Sequence, residues 1–104
     1  MENRFEIQGN CLIIHLPKEV DHMVTDEIRR DSDEIIRKKY IRTITFDFSG
    51  TTFMDSSGIG LILGRSRAVH SFGGELLIKN ARREIAEVIR ISGLGSLIAA
   101  QSAV

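Results

Sequence analysis

Asp55-Ser56-Ser57-Gly58 puts a carboxylate, two hydroxyls and a glycine in consecutive positions just ahead of an apolar periodic run. Ile59, Ile62, Leu63, Ser66 and Val69 follow at the i, i+3, i+4, i+7 spacing of a one-sided helix, so these four residues open it. Amides in the first turn of a helix have no helical partner, and the short side chains of Asp and Ser accept their hydrogen bonds. One cap suffices. A surplus hydroxyl remains, suited to nucleophilic catalysis, to a phosphate cradle built with the glycines, or to modification by another enzyme.

The first two chemistries lack their companions. A P-loop needs four residues between its glycines and then Lys; Gly58 to Gly64 encloses five, Gly60 to Gly64 three, and Arg65 stands in the lysine position. The dinucleotide pattern also misses, because three residues separate Gly60 from Gly64. A serine hydrolase elbow wants glycine two places before the nucleophile, where Ser57 has Asp55. His15 lies in a strand pattern, and His22 and His70 flank helices; none is placed as a base beside Ser57.

Modification fits better. A phosphate adds about −1.5 to −2 charge at pH 7, and the dipole and unpaired amides of a helix start accommodate it, so the fold survives. The effect falls on whatever binds there. With Ser56 as cap, its hydroxyl turns back to the backbone near Ile59 while that of Ser57 faces outward, which favours Ser57 as the switch. The alternative, that both serines simply cap the helix, stays open on the residues alone.

The elements that carry this serine are legible from periodicity. Phe5 and Ile7 alternate with polar residues, Gly9-Asn10 makes a Gly-first turn of the II′ kind, and Cys11 to Leu16 follows with two apolar phases. This predicts a hairpin with its first strand at the edge and a second strand buried on both faces, ended by Pro17. Asp21 is the expected N-cap of a first helix with acids early and Arg37, Lys38 and Lys39 late. Its stripe of Val24, Ile28, Ile35 and Ile36 runs toward Tyr40, with Ser32 in the gap, and Arg29, Arg30, Asp33, Glu34 and Arg37 form a solvated face.

Thr43 to Phe48 then reads as the central strand, Ser49 to Thr52 as a loop, and the serine-headed helix comes next. Gly58, Gly60 and Gly64 inside that helix each cost up to ~1 kcal/mol against alanine. Close packing or a flat partner-facing start accounts equally for Gly58 and Gly60; packing is favoured at Gly64. Phe72-Gly73-Gly74 stops the helix, and Glu75 to Lys79 reads as an interior parallel strand. Asn80 is the expected cap of a third helix with Ile85, Val88, Ile89 and Ser92 on one side and Gly93 past its end. Leu94, Leu97 and Ile98 form a last short strand, and Ala99 to Val104 is too short for a stable undocked helix. The order of elements implies right-handed crossovers and helices on one or both faces of a mostly parallel sheet.

Composition narrows the partners. The chain has 104 residues, 42% of them hydrophobic, enough for one domain spanning residues 1–104. Fourteen basic and fourteen acidic residues cancel, which removes the general attraction to nucleic acid or anionic membrane. The single cysteine, Cys11, excludes an intrachain disulfide and reads as a small core hydrophobe. No residue spacing suggests a metal site or a resident cofactor, and without a leader or spanning run the expectation is a cytoplasmic protein.

Phe53-Met54-Asp55-Ser56-Ser57-Gly58-Ile59-Gly60, continued by Leu61-Ile62-Leu63-Gly64-Arg65, resembles the STAS-domain anti-sigma factor antagonists, and most closely the sporulation sigma-F branch. The resemblance extends to Val20-Asp21-His22, Phe72-Gly73-Gly74-Glu75 and Ile91-Ser92-Gly93-Leu94. It implies an α/β STAS fold and a regulator of transcription without catalysis of its own. In that family the second serine of the motif, here Ser57, is phosphorylated by the anti-sigma factor, itself a serine kinase using ATP, and a metal-dependent phosphatase reverses this. The unmodified form captures the anti-sigma factor and releases the sigma factor. By the same resemblance Asp21, Asp55, Ser56, Ser57, Gly58, Ile59 and Gly60 face the partner. Two departures stand out: Lys18 replaces the usual glycine before Glu19, and the C-terminal helix is shorter. A rival reading is a STAS-type sensor that binds a nucleotide or lipid directly.

Overall fold

The computed structural model describes residues 4–99, so all of the Ala99 to Val104 segment except Ala99 lies outside the described residues. In chain order the elements are β1 (Phe5–Gln8), β2 (Cys11–His15), β3 (Glu19–Val20), α1 (His22–Lys38), β4 (Thr43–Asp47), β5 (Phe53–Met54), α2 (Ser56–His70), β6 (Glu75–Lys79) and α3 (Arg83–Ile91), then a 3-10 turn at Gly95–Leu97. Four strands form one sheet in the order β1-β2-β4-β6, antiparallel at the hairpin and parallel elsewhere. Gly9 supplies the positive φ, +61°, that a Gly-first hairpin turn demands.

Alternation decides which side is covered. Leu12, Ile14, Ile44, Phe46, Leu76 and Ile78 point to one face and are buried together with Ile28 of α1, Leu61, Ile62 and Val69 of α2, and Ile85 and Ile89 of α3. The helices thus lie on one face. Across the sheet, Cys11, Ile13 and Leu77 are only half-buried. β2 is therefore buried on a single face, contrary to its two apolar phases, and Cys11 sits on the thinly covered side, its Sγ 3.8 Å from Thr45 Oγ1. β6 is likewise a sheet edge rather than an interior strand, extended by a lone parallel bridge from Ile78 to Ile98. That bridge and the 3-10 turn stand where a last strand was expected, because Gly95 to Leu97 turns too tightly to extend.

The helices correct three further expectations. The stripe of α1 ends at Ile41, 1% exposed, and leaves Tyr40 69% exposed. α3 buries Ile85, Ala86 and Ile89, whereas Val88 and Ser92 face solvent. Asn80 does not cap α3, whose N-cap position is held by Arg82 with no side-chain cap bond. Instead Asn80 has φ +63°, in the left-handed region that Asn tolerates better than most residues, and donates from Nδ2 to Asp47 Oδ1 at 3.0 Å, tying the end of β6 to β4.

Glycine placement separates packing from openness. Gly74 crosses β4's entry so closely that a Cβ would lie 2.2 Å from the Arg42 carbonyl oxygen, and its N–H bonds the Val69 carbonyl at 2.8 Å. At Gly64 a Cβ would meet nothing within 4 Å, so the expected close packing is absent there. Gly64→Ala is expected to stabilise the chain by up to ~1 kcal/mol, the helix-propensity difference, read as a higher urea midpoint at unchanged slope.

On the open face His15 ties three strands. Its Nδ1 lies 2.8 Å from Asp47 Oδ2 and its Nε2 2.9 Å from Glu6 Oε1. A ring with a carboxylate at each nitrogen is favoured as imidazolium, and Glu6 first, then Asp47, raise the His15 pKa above its ordinary 6.5. Partial burial pushes the Asp47 carboxyl up, yet bonds from Asn80, Ser49 and His15 outweigh it and bring the value to about 2. A raised imidazole stabilises fully below its unfolded pKa, near 6.5, and loses that contribution as pH rises through the folded value. Stability is expected to fall above pH 6.5 in the wild type and to fall less in His15→Asn, as urea midpoints measured across that range will show.

A candidate partner-binding and modification site at two helix starts

The short strands β3 and β5 build the site. They pair in parallel, Glu19 with Phe53 and Val20 with Met54, sewn by bonds from the Thr52 and Asp55 amides to the Lys18 and Val20 carbonyls at 2.8 and 3.1 Å. Each strand runs straight into a helix, so the next residues, Asp21 and Asp55, stand abreast as the two N-caps. Asp21 accepts from Val24 N at 3.0 Å and Asp55 from Ser57 N at 2.9 Å, both with extended backbones.

Asp55, not Ser56, therefore caps α2. The cap position requires the last non-helical residue, and an ionised carboxylate there makes a stronger bond than a hydroxyl one residue later. Ser56 is the exposed first residue of α2. Ser57 is half-buried, and its Oγ–H donates to the Asp55 Oδ1 that also takes its N–H. The hydroxyl is thus neither sealed in the core nor wholly outward: it is reachable and held from behind.

Gly58 packs against Met54, whose Cγ lies 2.3 Å from the position a Cβ would take, so the packing reading holds there. Gly60 is exposed with nothing within 4 Å, which leaves the helix start flat. Ile59 is half-buried against the core. Of the seven residues expected at the site, all lie at this end of the molecule; Gly58 contributes from beneath its surface.

The carboxyl of Asp55 is held below its ordinary range, first by the Ser57 hydroxyl, then by the Ser57 N–H, with a further contribution from the positive field of His22. His22 thus belongs to this neighbourhood although its sequence position suggested no link with Ser57. Its Nε2 lies 3.3 Å from Asp26 Oδ2. Met23 and Phe53, 72% and 53% exposed, sit in the first turn of α1 and in β5 and add apolar surface at this end. Met23 has no mark in the sequence and Phe53 only as the first residue of the motif, since an isolated exposed apolar residue carries no periodic signal.

Among the described residues no group of three or more His, Cys, Asp or Glu is arranged to hold a metal ion, and no helix is long and apolar enough to cross a membrane.

Residues 4–104 match the STAS domain family. The chain belongs to that family, on the branch of the anti-sigma factor antagonists. It is 35% identical over 94 residues, 90% of its length and 80% of the relative's, to the anti-sigma F factor antagonist of Paenibacillus polymyxa. Its structure superposes on the anti-sigma factor antagonist SpoIIAA in its unphosphorylated form with a TM-score of 0.87 at 32% identity, covering 94% of this chain and 87% of the other. The phosphorylated form of SpoIIAA, the Bacillus cell fate determinant, matches with a TM-score of 0.79 at 32% identity, covering 94% and 90%.

Proposed function

We propose that the protein is a phosphorylation-controlled binding module: unmodified, it captures an anti-sigma factor that is a serine kinase and frees the sigma factor; modified at Ser57, it lets go. One observation carries this, namely the half-buried Ser57 at a capped helix start, its hydroxyl held by Asp55 and its helix abreast of the one that Asp21 caps, in a chain similar to an antagonist solved in both phosphorylated and unphosphorylated forms.

A phosphate on Ser57 gains from the amides and dipole of α2, so the fold tolerates it. In an interface it sits uncompensated next to the Asp55 and Asp21 carboxylates, and desolvating it there costs several kcal/mol, each ~1.4 of which is tenfold in affinity. On this reading Asp21, Asp55, Ser56, Ile59 and Gly60 line the docking surface, Gly58 shapes it from below, a metal-dependent phosphatase resets the switch, and the domain works in the cytoplasm without catalysing a reaction alone. Incubation with a cognate kinase and ATP, followed by phosphopeptide mapping, is expected to place one phosphate on Ser57. Modification at Ser56 or elsewhere would refute it.

A further inference from the structure

We propose that the open face of the sheet docks a second copy of this chain, giving a weak two-fold dimer that leaves both Ser57 sites free. Parallel strands are ordinarily covered on both faces. Here β2, β4 and β6 run parallel, yet α1, α2 and α3 all pack on one side. The strand registers lay the bare side out in rows. Glu6, Ile13, Thr45 and Leu77 stand abreast across the middle, with His15, Asp47 and Lys79 in the row above and Gln8, Cys11, Thr43 and Glu75 in the row below. Thr45 is buried, Cys11, Ile13 and Leu77 are half-buried, and Glu75 and Lys79 are exposed.

The occupant follows from how this pattern maps onto itself. A two-fold axis running across the strands along the middle row lays one sheet face to face on another with the strands antiparallel. Ile13, Thr45 and Leu77 then each meet their own counterparts, and Glu75 of each copy meets Lys79 of the other, so the ion pair forms twice. Among the described residues neither Glu75 nor Lys79 has a side-chain hydrogen bond or ion pair within its own chain. Both charges are therefore free to pair across the interface. His15 and Asp47 fall opposite the uncharged Cys11 and Thr43. Glu6 alone meets its like, at the rim, where His15 Nε2 already lies 2.9 Å from its carboxylate.

Size sets the strength. Four strands about 4.8 Å apart and five residues rising about 3.3 Å each cover roughly 19 by 16 Å, so two copies together hide less than about 1,000 Å², the lower bound of specific interfaces. A dissociation constant on the order of 0.1 mM is expected. The helices, and with them Ser57 at the start of α2, lie across the sheet from this face, so the dimer keeps its partner surface open.

Sedimentation equilibrium of the full chain, from about 10 μM to about 2 mM, is expected to show a reversible monomer–dimer equilibrium of that strength. Leu77→Lys sets two ammonium groups against each other on the axis and is expected to raise the dissociation constant at least about tenfold, as is Lys79→Glu, which sets a second carboxylate against Glu75. Combining Glu75→Lys with Lys79→Glu restores opposite charges and is expected to return the value to within about threefold of the wild type. None of these positions is in the core, so unchanged urea midpoints will certify the folds. A monomer at every concentration, or a dimer unmoved by Leu77→Lys, would overturn the proposal. A loss in Lys79→Glu that the charge swap fails to rescue would overturn the pairing of Glu75 with Lys79, and the two-fold arrangement with it.

Discussion

Ser57→Asp is expected to bind the cognate anti-sigma kinase at least about a hundredfold more weakly than the wild type, while Ser57→Ala binds it and is not released by ATP. The aspartate adds a fixed charge one residue past the exposed Ser56 and against the Asp55 carboxylate. In an interface that charge lies against the Asp55 carboxylate, so its hydration is lost with a like charge as neighbour. A hundredfold corresponds to about 2.7 kcal/mol, less than the desolvation cost of a buried unpaired carboxylate. The alanine removes the attacking oxygen and leaves the cap intact, because the cap belongs to Asp55. Calorimetry with the kinase and its nucleotide checks both; two variants that bind and dissociate like the wild type would exclude Ser57 as the switch.

Arg65→Ala is expected to destabilise the fold by about 3 kcal/mol, and Arg65→Met by less than half of that. Arg65 projects from α2 and is 6% exposed, and its guanidinium donates to Asp33 and, at 3.2 Å, to the fully buried hydroxyl of Ser32 on α1. Truncation empties the space of a long side chain, which in cores costs about 2–5 kcal/mol, and removes a charged bond worth about 1.5–3 kcal/mol. Asp33 is half-exposed and returns to water, which limits the loss. Methionine refills the volume. It also relieves a standing penalty, since Arg65 Nε is buried without a partner, and apolar replacement of buried ion pairs is often neutral. Urea unfolding separates the cases: equal losses for both variants would assign the cost to the charge pair rather than to packing.

Local pattern carried much of this architecture. The alternation of Ile44, Phe46 and Phe48 marked the central strand, and Asp21 before an amphipathic run marked the start of α1, because both signals reside within a few residues. What escaped was set by distant chain. The two-residue strands β3 and β5 exist through each other and have no periodicity of their own. Ser32 read as a gap in a stripe, and its filling by Arg65 comes from another helix. The apolar run of β6 described a strand that is covered from one side, yet could not say that among the described residues only the single Ile98 bridge lies beyond it. At the site, the residues of the motif were legible, whereas the choice of Asp55 over Ser56 as cap depended on where the backbone stops being extended.

The pairing of β3 with β5 has a practical corollary. Thr51 and Thr52 reach back to Pro17 and Lys18 across 34 positions of chain, so the platform exists only once remote portions have met. A synthetic peptide comprising Phe53 to His70 would possess every letter of the motif and still lack Asp21, His22 and the β3 strand that anchors its first residues. Recognition by such a fragment should be feeble, and competition assays built on it would understate what the intact domain can do.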